Sequence, residues 1–248
     1  ARKTWAFFET FVGPEDHWLP PDNYQEYRAA ALAHRTSPTN MGLALLANLT
    51  AHDFGYIPAG QLLERTAQSL ETMAGLERHR GHFYNWYDTL SLRPLHPAYI
   101  STVDSGNLAG HLLTLRPGLM ALLDRPILET RWLAGLIDTL GILEEAASET
   151  DPASLAKFRK ELESVYNARP ATLTAARALL ERLTRSAEAV AAEPGDEPGS
   201  QAAWWAGTLI GGSGWVIPGV LKMLGGALLA YLAISHMVPT DRAVDPNQ

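Results

Sequence analysis

A chain of 248 residues, 46% hydrophobic and 19% charged, can bury a sizeable core and is too apolar to be disordered as a whole. It has no cysteine, which excludes disulfide scaffolds, thiolate metal sites, iron–sulfur clusters and cysteine nucleophiles. Twenty basic residues stand against 27 acidic ones, a formal charge of −7, with no Lys/Arg run longer than a pair, so nucleic acid is not an expected partner.

The first residues, Ala1-Arg2-Lys3, are basic, but Glu9 interrupts the chain before an apolar run develops, so this is not a targeting segment. It reads as an amphipathic helix entered part-way, as processing or fragmentation would leave it. A polar, proline-rich loop follows over 13–23. Ser37-Pro38 then announces a helix that carries Met41, Leu45, Leu46 and Leu49 and runs to Asp53 before Gly55. A second helix is predicted over 58–79 from Leu63, Ala67, Leu70, Met73 and Leu76, with Gly81 as its stop. The stretch 81–106 is a long loop, with a short strand candidate at 99–103. Leu108, Leu112 and Leu115 place a helix over 107–115. Further helices are predicted over 125–149 (Leu133, Leu136, Ile137, Leu140, Leu143), after Asp151-Pro152 (Leu155, Phe158, Leu162, Val165) and over 170–192 (Leu173, Ala176, Leu180, Leu183, Ala187). The expected fold class is all-α, built of antiparallel helix hairpins.

Composition changes near the C-terminus. Residues 193–203 form a polar linker, 204–238 are apolar apart from Lys222 and His236, and 239–248 are a tail. The apolar stretch is long enough to span a bilayer, and Gly207 and Gly211 have the spacing of closely packed membrane helices. Lys222 near its middle opposes insertion by about 2.5–3.5 kcal/mol. The alternatives are membrane contact and an apolar tail that packs on the domain or frays.

Chemistry concentrates in the two loops. Asp16, Trp18, Asp22 and Asn23 occupy the first, with Tyr24 directly after it, and Asn85, Trp86, Tyr87 and Asp88 the second. Asp104 and Asn107 stand where the second loop becomes a helix. Aromatic faces with carboxylates and amides are what a sugar requires, because a sugar ring offers apolar C–H faces edged with hydroxyls. Each group also has a plainer use. Asp104 or Ser105 could cap the helix, Asp88 could cap a loop, and the aromatic rings could be core. His79, His82 and His96 lack helix spacing for a metal, and no nucleophile elbow, Walker loop or dinucleotide fingerprint is present. No cofactor and no metal is expected.

Five runs, ARKTWAFFETFVGPEDHWLPPDNYQE, HRTSPTNMGLALLANL, DFGYIPAGQL, RGHFYNWYDT and ISTVDSGNLAGHLL, together resemble the middle region of bacterial cyclic β-1,2-glucan synthases over residues 1–206. These are long polytopic inner-membrane enzymes. One domain builds a linear β-1,2-glucan from UDP-glucose, a glucoamylase-like domain closes it into a ring, and a phosphorylase-like domain adjusts its length. The resemblance implies that residues 1–192 are the front half of the glucoamylase-like domain, an incomplete (α/α) toroid. It implies a transglycosylase, with β-1,2-glucan and the remainder of the synthase chain as partners and an inner-membrane location facing the cytoplasm.

Under that resemblance Asp104 is the preferred catalytic carboxylate, with Asp88 second and Asp16 third. Trp18, Tyr24, Trp86 and Tyr87 would stack on glucose rings. Asp16, Asp22, Asn23, Arg35, Asn40, Asn85 and Asn107 would bind hydroxyls or hold the loops. The family's expected catalytic glutamates lie in downstream motifs that this sequence lacks, and the stretch after Trp204-Trp205-Ala206 departs from the family. The expectation is therefore a truncated, frame-shifted or divergent piece that is inactive alone. The rivals are a related β-1,2-glucan hydrolase and a non-catalytic, membrane-tethered helical module that binds glycan.

Overall fold

The computed structural model describes residues 1–25, 27, 31–126, 129–146, 153–168, 172–192 and 201–214. Among them the chain is all-α, with eight α-helices and four two-residue strands. The expected polar linker, apart from its last three residues, and the apolar stretch beyond 214 lie outside the described residues. The chain divides into two compact units.

One unit is formed by Lys3–Leu49 and Leu62–Leu123. It holds most of α1 (Arg2–Phe11), α2 (Pro38–Asp53) and α3 (Ala59–Gly75), and all of α4 (Thr102–Met120). Helix α2 starts where the sequence says it should. Pro38 supplies a helical φ in the first turn, and the Ser37 hydroxyl accepts from the Asn40 backbone N–H at 3.2 Å. Met41 and Leu45 of α2, Leu70 and Met73 of α3, and Leu108 and Leu115 of α4 meet Leu19, Leu76 and Tyr87 in one buried core. Burying each such side chain contributes about 1.5–3 kcal/mol.

Three local expectations change. Helix α3 ends at Gly75, and Gly81 is no helix stop. Arg78–His79 (β1) pairs antiparallel with His82–Phe83 (β2) around Arg80 (φ 50°) and Gly81 (φ 86°). Two left-handed residues in succession make the tight hairpin turn that matches strand twist. The strand expected at 99–103 is absent, because Ser101 caps α4 by accepting from the Asp104 N–H at 3.1 Å. Strand character appears instead where Arg35–Thr36 (β3) pairs antiparallel with Tyr87–Asp88 (β4), setting Arg35 opposite Asp88.

The other unit contains Ala1–Arg2, Thr50–Gln61 and the described residues from Asp124 onward. Its helices are α5 (Arg131–Ala146), α6 (Ala153–Ala168), α7 (Leu173–Ala191) and α8 (Gln201–Gly214). Helix α5 starts later than residue 125. Arg125 instead pairs with Asp53 at 2.9 Å, beside Arg131 at 2.8 Å. Contacts close a ring in which α5 meets α6, α6 meets α7, α7 meets α8, and α8 returns to α5. Each helix buries one stripe: Leu133, Leu136, Leu140 and Leu143; Leu155, Phe158, Leu162 and Val165; Ala176, Leu180, Leu183 and Ala187; Ala202, Trp205, Ala206 and Leu209. The near end of the apolar stretch is thus packed inside this unit. No helix among the described residues is long and apolar enough to cross a membrane.

Gly55 and Gly135 allow the turn after α2 to touch α5. A Cβ on Gly135 would stand 2.2 Å from the Gly55 carbonyl oxygen, whereas a Cβ on Gly141 of the same helix would meet nothing within 4 Å. Gly135→Ala is expected to destabilise by about 1–3 kcal/mol through backbone displacement. Gly141→Ala is expected to stabilise by up to about 1 kcal/mol through helix propensity. Urea unfolding of the two variants checks the opposite signs.

Candidate functional site

The two loops singled out by composition come together in the first unit. Asp16, in the turn Pro14–Asp16, accepts from the Thr89 hydroxyl, and His17 Nδ1 lies 2.9 Å from the Thr89 carbonyl oxygen. The β3–β4 pairing extends that junction. An open cleft of ≈ 460 Å³ lies there, lined by Asn23, Gln25, Ala33, His34, Arg35, Asp88 and Leu95.

Beside this cleft a set of polar groups closes on itself. Asp22 accepts from Arg35 Nη2 at 2.9 Å and Nε at 3.2 Å, from Asn23 Nδ2 at 3.0 Å and from Asn40 Nδ2 at 3.2 Å. Thr39, next to Asn40, donates its hydroxyl to Asp104 Oδ1 at 2.7 Å and accepts from Asn107 Nδ2 at 3.1 Å. The Asn85 amide, oriented by its neighbours, donates to Asp104 Oδ2 at 2.9 Å and accepts from Trp86 Nε1 and the Tyr99 hydroxyl, each at 2.7 Å. The Trp86 ring carries the Arg35 guanidinium 5.0 Å from its centroid, which returns to Asp22. Eight expected site residues, Asp22, Asn23, Arg35, Asn40, Asn85, Trp86, Asp104 and Asn107, therefore belong to one assembly.

Asp104 is its electrostatic centre. It lies in the first turn of α4 and accepts from Thr39 in the first turn of α2, so the positive ends of two helix dipoles face one carboxylate. Burial alone would raise its pKa. The hydroxyl groups of Ser101, Thr39 and Ser37 outweigh that and hold it below the usual carboxylate range. Asp88 is also held low, first by the Ser91 backbone N–H and further by the Ser91 hydroxyl and the Leu90 N–H, against a smaller opposing effect of burial. Its Oδ1 takes all three of those bonds, at 2.7, 2.8 and 3.1 Å, so Asp88 caps its own turn.

Other expected residues go elsewhere. Tyr87 is fully buried. Its hydroxyl donates to the Glu77 carbonyl at 2.7 Å and accepts from the Tyr84 N–H at 2.8 Å, and its ring packs beside Phe83 and Tyr84, so it offers no face to a sugar. Trp18 is half-buried with its ring under the Arg65 guanidinium, and its carbonyl accepts from Ser69. Tyr24 stacks on Phe11 at 4.9 Å while remaining 43% exposed. Asp16 is buried, with both its partners in the protein. Among the described residues no group of three His, Asp or Glu side chains could hold a metal ion.

No protein-family model matches the chain. Over 150 residues, 60% of its length, it is 43% identical to the cyclic β-(1,2)-glucan synthase NdvB of Rhizobium meliloti (strain 1021). The chain is similar to part of a cyclic β-(1,2)-glucan synthase. It spans about 5% of the length of that synthase.

Sequence reasoning missed the residues that hold the assembly. Ser37 is read only as helix-start chemistry, and His34, Thr39, Thr89, Tyr99 and Ser101 are not singled out as site residues. The run Ser101-Thr102-Val103-Asp104 did carry a signal, because a hydroxyl three residues before a carboxylate is a helix-start pattern.

Proposed function

We propose that this chain serves a cyclic β-(1,2)-glucan synthase as part of the helical scaffold that handles the glucan, with the cleft and the Asp104 assembly as a saccharide site. The observation that carries this reading is the closed set of amides, carboxylates, guanidinium and indole around Asp104, beside a polar cleft, in a chain similar to such a synthase. Donors and acceptors placed densely around an aromatic ring suit a ligand that is all hydroxyls and C–H faces.

Within that proposal the chain contributes to a retaining transglycosylation that closes the glucan into a ring. A two-carboxylate mechanism needs one group ionised and one protonated. Asp104 and Asp88 are both held low, so they suit the ionised, charge-stabilising role rather than that of proton donor. The (α/α)-toroid arrangement, the partnership with the rest of a synthase and the bacterial inner-membrane location, facing the cytoplasm, belong to the same proposal and rest on the resemblance.

A passive glycan-binding role is the second reading. What favours it is that both Asp104 oxygens already accept hydrogen bonds within the protein. Titration calorimetry of the 248-residue chain with linear β-1,2-glucooligosaccharides tests the shared premise. Saturable binding, absent with cello-oligosaccharides, is expected. No binding, or equal binding of both, would sink the saccharide site. Ring closure or chain shortening by the chain itself separates catalysis from passive binding.

A further inference from the structure

Asp16 and His34 form a pair that the assembly around Asp104 does not use. The Asp16 side chain is 4% exposed and that of His34 is 40% exposed. His34 Nδ1 lies 2.8 Å from Asp16 Oδ1, and the buried Thr89 hydroxyl donates to the same oxygen. An ionised carboxylate only accepts, so the tautomer that suits this bond carries its proton at Nδ1 and its lone pair at Nε2. The ring is among the groups that line the cleft, and Nδ1 is the nitrogen that engages the buried carboxylate.

The neighbours give that lone pair a use. Arg35, beside His34 in the chain, can only donate. Asp88, opposite Arg35 on β4, has its Oδ1 occupied by its own turn. His34 Nε2 therefore adds a candidate acceptor next to a strong donor, which matches adjacent hydroxyls on one sugar ring. We propose that His34 contacts a hydroxyl of the bound glucan through Nε2 and that Asp16 is the positioning residue for it. This rests on the saccharide site proposed above.

The test uses the whole chain and linear β-1,2-glucooligosaccharide in titration calorimetry. His34→Ala is expected to weaken binding about tenfold, the size of one lost hydrogen bond with a partner left unpaired. His34→Gln keeps a side-chain acceptor and is expected to recover part of that loss. Asp16→Asn presents an amide to Nδ1, so imidazole nitrogen NMR should show the proton moved to Nε2 and affinity should fall. If His34→Ala binds with the affinity of the unaltered chain, the pair has no role in binding and the saccharide site stands without it. If no form binds the oligosaccharide, both proposals fail.

Discussion

Arg65→Ala is expected to destabilise its unit by about 3–5 kcal/mol, because it removes a buried charge together with the packing around it. Arg65 projects from α3 and is 6% exposed. It donates through Nη2 to the carbonyl oxygens of Phe8 at 2.8 Å and Val12 at 3.0 Å, and through Nε to Asn48 Oδ1 at 3.2 Å. The two carbonyls belong to the C-terminal end of α1, where helix carbonyls lack partners and a cation suits the dipole. The Trp5 and Trp18 rings lie 5.1 and 5.5 Å from the guanidinium carbon. Burial presses the guanidinium below its ordinary range and Glu9 pushes it back, so the group stays charged. Alanine would strand the Val12 carbonyl and Asn48 Oδ1, leave Phe8 O only its bond from the Val12 N–H, and open a space between two indoles. Lysine keeps the charge but cannot supply a planar fork, so Arg65→Lys is expected to lose roughly half as much. Thermal melts followed by circular dichroism decide it. A loss under about 1 kcal/mol in Arg65→Ala would mean that water replaces the guanidinium at no cost.

What the sequence made legible was local. Helix α2 could be bounded from Ser37-Pro38 and Gly55 because a cap, a proline and a glycine act within a few residues of themselves. The stripes of α5, α6 and α7 could be read because 3.6-residue periodicity is written along each helix. Two-residue strands have no period, so both strand pairs were invisible. Tyr87 and Trp86 show a deeper limit. Both stand in one polar–aromatic run, and nothing in composition separates them. The extended backbone at β4 alternates sides, which sends Tyr87 into the core and leaves its neighbours Trp86 and Asp88 partly exposed. Thr39 was unreadable as a site residue for another reason. Its partner Asp104 lies 65 positions away, and only the packing of α2 beside α4 brings them together.

Asp104→Ala is the substitution expected to weaken glucan binding most, by roughly 30–100-fold, the equivalent of about 2–3 kcal/mol for bonds to a charged acceptor. Its carboxylate joins two arms of the assembly. Oδ1 holds Thr39, which in turn holds Asn107, and Oδ2 holds Asn85, which sets Trp86 through the indole N–H. With the carboxylate removed, the Asn85 amide can turn over, and Trp86 loses the bond that fixes its plane beneath Arg35. Asp104→Asn separates charge from shape. It keeps the size but offers only one acceptor oxygen, so it should retain the fold and lose an intermediate amount of affinity. Folding effects should be small in both, since Ser101 still caps α4 through the backbone N–H of residue 104. Calorimetry with linear β-1,2-glucooligosaccharide, beside melts of the same variants, tests the assignment. Unchanged affinity in Asp104→Ala with an unchanged melt would remove Asp104 from the site and leave the polar assembly as a brace between α2 and α4.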